Sequence, residues 1–183
     1  MSISNFATGI NIMIKTEDKL KKLAEVLEKG TSKSGCKAIG LLREEPPFKG
    51  VISLLASFYN STDDFQIRKA IEEVFNNLKD QAIAKEVIIE LRKQLKPDTL
   101  CMLVSSCWQS GLDYSDYVLD FAEVFLRGDY VTAFECLTVI EESVDDLSSS
   151  KKDEVLAFLE KFPVSPGSEK AALSSELLLI LKR

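Results

Sequence analysis

Asp113, Asp116, Asp120 and Glu123 follow one another at i, i+3, i+7 and i+10, a spacing that puts four carboxylates on one side of a helix and its leading turn. Four such groups in a row suit three kinds of chemistry: holding a cation, supplying an acid and a base for bond cleavage, or attracting a basic partner. The first fails on spacing, because an EF-hand loop needs a central glycine and a closing glutamate that are missing here. The second is not read from helix spacing, since catalytic carboxylate pairs are set by a cleft. The third needs only a field, which raises association rates more than affinity. The same row serves equally as a solvated face that keeps the protein in solution. Asp113 and Asp129 have a further local use as helix caps.

Other reactive chemistry is scarce. The 183 residues include no histidine, which removes the commonest general base, the commonest zinc ligand and the usual partner of a catalytic serine or cysteine. The four cysteines, Cys36, Cys101, Cys107 and Cys136, form no CxxC pair and fall on apolar faces of predicted helices, so buried free thiols are expected. No catalytic residue, metal ligand or cofactor is assigned, and the expected function is not enzymatic.

Charge is segregated along the chain. The net charge is −6, yet between residues 98 and 150 eleven carboxylates stand against one base, Arg127. Lys15, Lys19, Lys21, Lys22, Lys29, Lys33 and Lys37 crowd the start. An acidic balance and a single tryptophan leave little in the second half to neutralise phosphates, so nucleic acid is not the expected partner, although Lys85, Arg92 and Lys96 share one side of their helix. No segment approaches the roughly 18 uninterrupted apolar residues of a membrane span. The first residues lack the basic start and small-residue cleavage site of a signal peptide. A cytoplasmic protein without membrane contact is expected.

The elements that would carry these residues are helical hairpins. Second helices are predicted to open at Ser34, Asp64, Asp98, Asp129 and Ser168, at steps of about 30, 34, 31 and 39 residues, the period at which stacked two-helix units bury a continuous core. The first hairpin pairs 16–30 with 34–44. Pro46 and Pro47 suit the first turn of the next helix, through Val51, Leu54, Leu55 and Phe58. Later hairpins pair the helix from Asp80 with the one from Asp98, Ser115–Arg127 with Asp129–Ser143, and Ser150–Phe162 with Ser168–Lys182. Ile10, Ile12 and Ile14 alternate as a strand would, but too briefly to define one. An even composition without a linker predicts one domain over 1–183, with 1–14 the least ordered part.

In the helix from Asp64, that residue caps while Ile67, Ala70, Ile71, Val74 and Leu78 form a buried stripe. Asp64, Ile67, Arg68 and Ala70 give this helix a pattern that resembles the HEAT/armadillo repeat superfamily. Met102 and Ala133 stand where Arg68 would repeat. The resemblance implies an all-α, right-handed α-α superhelix of about five hairpins that binds protein through a concave groove. Lys69, Glu73, Ser106, Thr138 and Glu142 are the exposed second-helix positions expected to line it. Two enzymatic precedents come with the resemblance, DNA glycosylases with a basic aromatic groove and bilin lyases, and this acidic chain departs from the first.

Three functions compete at this point. A scaffold would dock a basic protein or peptide through Asp113, Asp116, Asp120 and Glu123 or through the groove. A HEAT-type enzyme is the second. A self-assembling subunit is the third, because Leu177 to Leu181 is an unbroken apolar run: either core with one or two exposed leucines, or the contact of a weak homodimer. Trp108, on the apolar helix of Leu100, Cys101, Leu103, Val104 and Cys107, is expected in the core. Tyr114, Tyr117 and Tyr130 sit beside the acids, as rigid contacts for a ligand or as covers of the turns.

Overall fold

The structure, a computed structural model, describes residues 3–43 and 47–183, with side chains from residue 16 onward. Among the described residues the chain is all helical, with ten α-helices, three short 3-10 turns and no strand. The helices are α1 (Ile3–Lys29), α2 (Ser32–Leu41), α3 (Val51–Ser61), α4 (Phe65–Phe75), α5 (Ala84–Leu91), α6 (Pro97–Ser110), α7 (Val118–Arg127), α8 (Tyr130–Ser143), α9 (Ser149–Lys161) and α10 (Ala171–Leu181). The chain packs as two compact units, residues 1–74 and 75–183.

In the first unit, α1 packs against α2 and α3. Backbone of the helical class continues from Ile3, so Ile10, Ile12 and Ile14 belong to a helix and not to a strand. The expectation that residues 1–14 are poorly ordered concerns side chains outside the described set. Helix α2 opens three residues earlier than expected: Thr31 Oγ1 accepts from the Ser34 amide at 3.3 Å, and Ser34 Oγ accepts from the Thr31 amide at 2.9 Å. This capping box uses both hydroxyls, which is why Ser34 alone looks like the cap. Helix α3 starts after Gly50, whose φ of 88° suits glycine and ends any helical run from the prolines, so Pro47 precedes the helix instead of opening it. Asp64 caps α4 as expected, accepting from the Gln66 and Ile67 amides at 2.9 and 3.2 Å. Ser32 donates a hydrogen bond to the same carboxylate, tying α2 to α4. The two helices approach so closely that a β-carbon at Gly35 would lie 2.7 Å from Ile67 Cδ1.

Arg68 has a role within this unit. Its guanidinium lies 4.3 Å from the ring centre of buried Tyr59, whose hydroxyl donates to Glu72 at 2.6 Å. Burial first, and the Glu72 bond second, push the Tyr59 hydroxyl pKa up to about 12. Ile39, Ile52, Leu55 and Ile71 are fully buried in the same unit.

The second unit is built in two rows. Helix α7 touches α5 and α9, while α8 touches α6 and α10; α5 to α6, α7 to α8 and α9 to α10 close the pairs. Leu103, Phe121, Phe125, Ile140 and Leu177 are fully buried between the rows. Side chains also tie positions about one hairpin apart. Gln81 donates to the Asp113 carbonyl at 2.6 Å and accepts from the Asp113 amide at 2.9 Å, and Arg127 donates to the Leu91 carbonyl. Lys170 places three hydrogen bonds on the carbonyls of Phe125, Leu126 and Gly128, at 3.0, 2.7 and 2.9 Å, where the α7 dipole is negative.

Two helix starts of the second unit also differ from expectation. Pro97 takes the first position of α6 and Asp98 the second, so Asp98 faces the helix dipole without capping. Helix α10 begins at Ala171, one turn after Ser168, whose carbonyl accepts from the Ala171 amide. Its apolar run divides as core plus exposed leucine: Leu177, Ile180 and Leu181 are buried, and Leu179 is 60% exposed.

Candidate binding surface

The acidic row is split among internal partners. Asp113 Oδ1 accepts from the Ser115 amide at 2.8 Å, and that backbone bond is the main reason its carboxyl sits below the usual carboxylate range. Asp116 accepts from Lys151 at 2.6 Å. Asp120 accepts from Arg92 Nε at 2.5 Å and Nη2 at 3.0 Å. The Asp120 bond holds the guanidinium pKa above its ordinary value, with the nearby Glu123 charge adding to it. Glu123 is exposed on α7. Each of the three aspartates is therefore engaged within the fold, and their charge is met by Arg92 and Lys151 from neighbouring elements.

The residues expected to line a groove fall in different settings. Lys69 and Glu73 lie on α4 in the first unit, Lys69 exposed and Glu73 accepting from Arg43 at 2.9 Å. Ser106 is not on the surface. It is 2% exposed and its hydroxyl donates to the Leu103 carbonyl at 2.8 Å, so the outward positions of α6 are Ser105, Trp108 and Gln109. Thr138 is half-buried, donating to the Phe134 carbonyl at 3.3 Å, and Glu142 is exposed one turn further along α8.

That outward side of α6 and α8 is a surface in its own right. The buried stripe of α8 is Ala133, Cys136, Leu137 and Ile140, and the opposite side carries Val131, Phe134, Glu135, Thr138 and Glu142. Val131 is 54% exposed and Phe134 50%, with Tyr130 beside them. On α6, Trp108 is exposed and not in the core as expected, and its indole N–H donates to Glu135 on α8 at 2.6 Å. This bond joins the two helices and holds the indole in one place. The two helices together carry Asp98, Glu135, Glu141 and Glu142 and no lysine or arginine. Beyond Trp108 a cleft of about 240 Å³ is walled by Gly111, Leu112, Asp113, Glu142 and Asp146.

The thiols differ from a uniformly buried set. Cys107 and Cys136 are buried, whereas Cys36 and Cys101 are partly exposed. Burial pushes the Cys107 thiol up to about 12 and raises Cys136 as well. Cys101, on the outward side of α6, is raised by burial and then by the charges of Glu135 and Asp129. Among the described residues no three Cys, Asp or Glu side chains converge to hold a metal ion, and no helix is long and apolar enough to cross a membrane.

Val131, Phe134 and Trp108 escape a reading by periodicity because α6 and α8 are apolar on nearly all sides. The signal was available in α8: Val131 and Phe134 lie off the stripe set by Ala133, Cys136 and Ile140. Comparison with protein-family models, with curated proteins and with solved structures finds no match to this chain.

Proposed function

We propose that the chain is a non-enzymatic protein-binding module of the HEAT/armadillo type, whose outward α6 and α8 side takes a basic segment carrying apolar residues. The observation that carries this reading is the outward side of two helices that hold no lysine or arginine: an indole anchored by Glu135, with Val131 and Phe134 exposed beside it. Aromatic anchors surrounded by polar groups are what alanine scanning finds at the energetic centres of interfaces. Glu135 and the exposed Glu142 supply the sign of the partner, while Glu141 faces Arg183 at 3.6 Å, and an aromatic ring suits a guanidinium.

The architecture proposed with it is a right-handed superhelix of about five hairpins. Its support lies in the two rows of the second unit and in ties that recur about one hairpin apart, Arg92 to Asp120 and Gln81 to Asp113 in the second unit, Arg43 to Glu73 in the first. Four free cysteines suit a reducing compartment, in keeping with the cytoplasmic expectation. The acidic row that leads into α7 contributes to solubility and to internal ties in this reading, and the docking role moves to α6 and α8.

Selection from a random dodecapeptide library against the whole protein tests the proposal. Enriched sequences should combine lysine or arginine with leucine, isoleucine or aromatic residues, and should compete with one another for one site. Enrichment of acidic sequences, or none above background, would refute it.

A further inference from the structure

A second surface of the same unit has a different chemistry and points to a small ligand. The C-terminal ends of α7 and α9 and the turn after α9 border an open groove of about 650 Å³, a volume within the size range of small-molecule sites. Its walls are Leu126, Phe158, Phe162, Pro163 and Val164. Phe158 and Phe162 pack with ring centres 5.2 Å apart, and Phe162 remains 47% exposed.

The polar groups in this groove are few and mostly of one kind. Arg127 lines it, and Lys170 adds a second positive charge, although its ammonium is occupied by the three α7 carbonyls. Lys161 stands 5.4 Å from the Phe162 ring centre. Ser168 also lines the groove, and its hydroxyl oxygen is buried without a hydrogen-bond partner. Glu123 is the one carboxylate on the wall. Positive charge therefore exceeds negative along this groove.

A peptide would bring an N–H and a C=O at every residue, which five apolar walls cannot satisfy. A molecule with one anionic head and an aliphatic body leaves nothing unmet. We propose that the groove binds an aliphatic monocarboxylate, its head toward Arg127 and Ser168 and its chain along Phe158 and Phe162. Arg127 offers planar, carboxylate-matching donors, only one nitrogen of which is engaged with the Leu91 carbonyl.

The test is a titration of the full chain with decanoate by calorimetry, with 1-decanol as the uncharged counterpart. Decanoate should bind saturably at one site. Exchanging the carboxylate for the alcohol, or Phe162 for Glu, should each weaken binding by about tenfold or more. Phe162→Glu puts a charge where the aliphatic chain would lie, and does so at an exposed position, so the fold is kept. Arg127→Gln should weaken decanoate but leave 1-decanol unchanged. No saturable binding, equal binding of acid and alcohol, or full decanoate affinity in Phe162→Glu would each overturn the proposal. The peptide surface on α6 and α8 is a separate matter, and either result leaves its own test intact.

Discussion

Arg92 grips Asp120 through two nitrogens, Nε on Oδ1 at 2.5 Å and Nη2 on Oδ2 at 3.0 Å, joining residues 28 positions apart. The arginine side chain is 60% exposed and the aspartate 13%, so the pair sits at the edge of water. An acid that already has a fork of two donors has little left for a partner. The α7 row is then a seam of the fold more than an open acidic face.

Neutralising that row therefore acts on stability first. Asp120→Asn should cost about 0.5–1 kcal/mol, the range of an exposed ion pair with good geometry. Urea denaturation of the single variant checks the size. Asp116→Asn, Asp120→Asn and Glu123→Gln together should leave the affinity for a selected basic peptide within about twofold. A loss of binding in the triple variant with the fold intact would return the docking role to α7.

Three aspartates that accept local hydrogen bonds set the response to acid, Asp64 and Asp129 as helix caps and Asp113 in the turn before Ser115. Asp64 is lowered by the Ser32 hydroxyl, and Asp113 and Asp129 by the amides of Ser115 and Thr132. Each holds its charge to lower pH when folded than the unfolded value of about 3.9. The stability they contribute is complete above that value and is lost as pH falls through their lower folded values. Asparagine caps nearly as well without titrating. The Asp129→Asn protein should lose less stability than wild type between pH 5 and pH 2.5, and equal losses in urea titrations would rule out this source. Asp129→Ala, which removes the cap from α8, should cost about 1 kcal/mol at neutral pH.

The thiols should react in order of exposure and charge. Cys107 and Cys136 should resist alkylation in the native protein and react only on unfolding, because burial raises both. Cys36 should react ahead of Cys101, whose thiolate is opposed first by burial and then by the charges of Glu135 and Asp129. Timed iodoacetamide labelling read by peptide mass gives the order, and early labelling of Cys107 would contradict the packing of α6.

The C-terminal helix gives a contrast within three residues. Leu177→Ala empties a fully buried site and should cost about 2–5 kcal/mol. Leu179→Ala, at an exposed site, should stay within about 0.5 kcal/mol. Thermal or urea unfolding separates the two, and a costly Leu179 change with a smaller particle size would reveal a dimer contact.

The fold was legible wherever local signals sufficed. Asp64 and Asp129 cap their helices as read, because an N-cap is a matter of three adjacent residues. Thr31 was missed for Ser34 because the two hydroxyls exchange roles across one turn. Gly50, with its positive φ, outweighed the prolines as the start of α3. The site was harder to read for two reasons. Arg92 and Lys151 reach the acidic row from 28 and 35 residues away, which no helical spacing reveals. Trp108 and Ser106 exchanged places because α6 is too uniformly apolar for its sequence to fix which side faces inward.

Trp108 is the sole tryptophan of the chain and stands on the proposed surface, so its emission reports directly on what docks there. The measurement to make first is a titration of the whole protein with the tightest tryptophan-free peptide returned by the library selection, following that emission in low and moderate salt. The expected result is a saturable blue shift as the indole loses water, weaker in salt, and an affinity reduced about tenfold or more by Phe134→Ala. Binding confirmed by calorimetry with the emission unmoved, and with Phe134→Ala binding as tightly as wild type, would contradict a docking surface on α6 and α8.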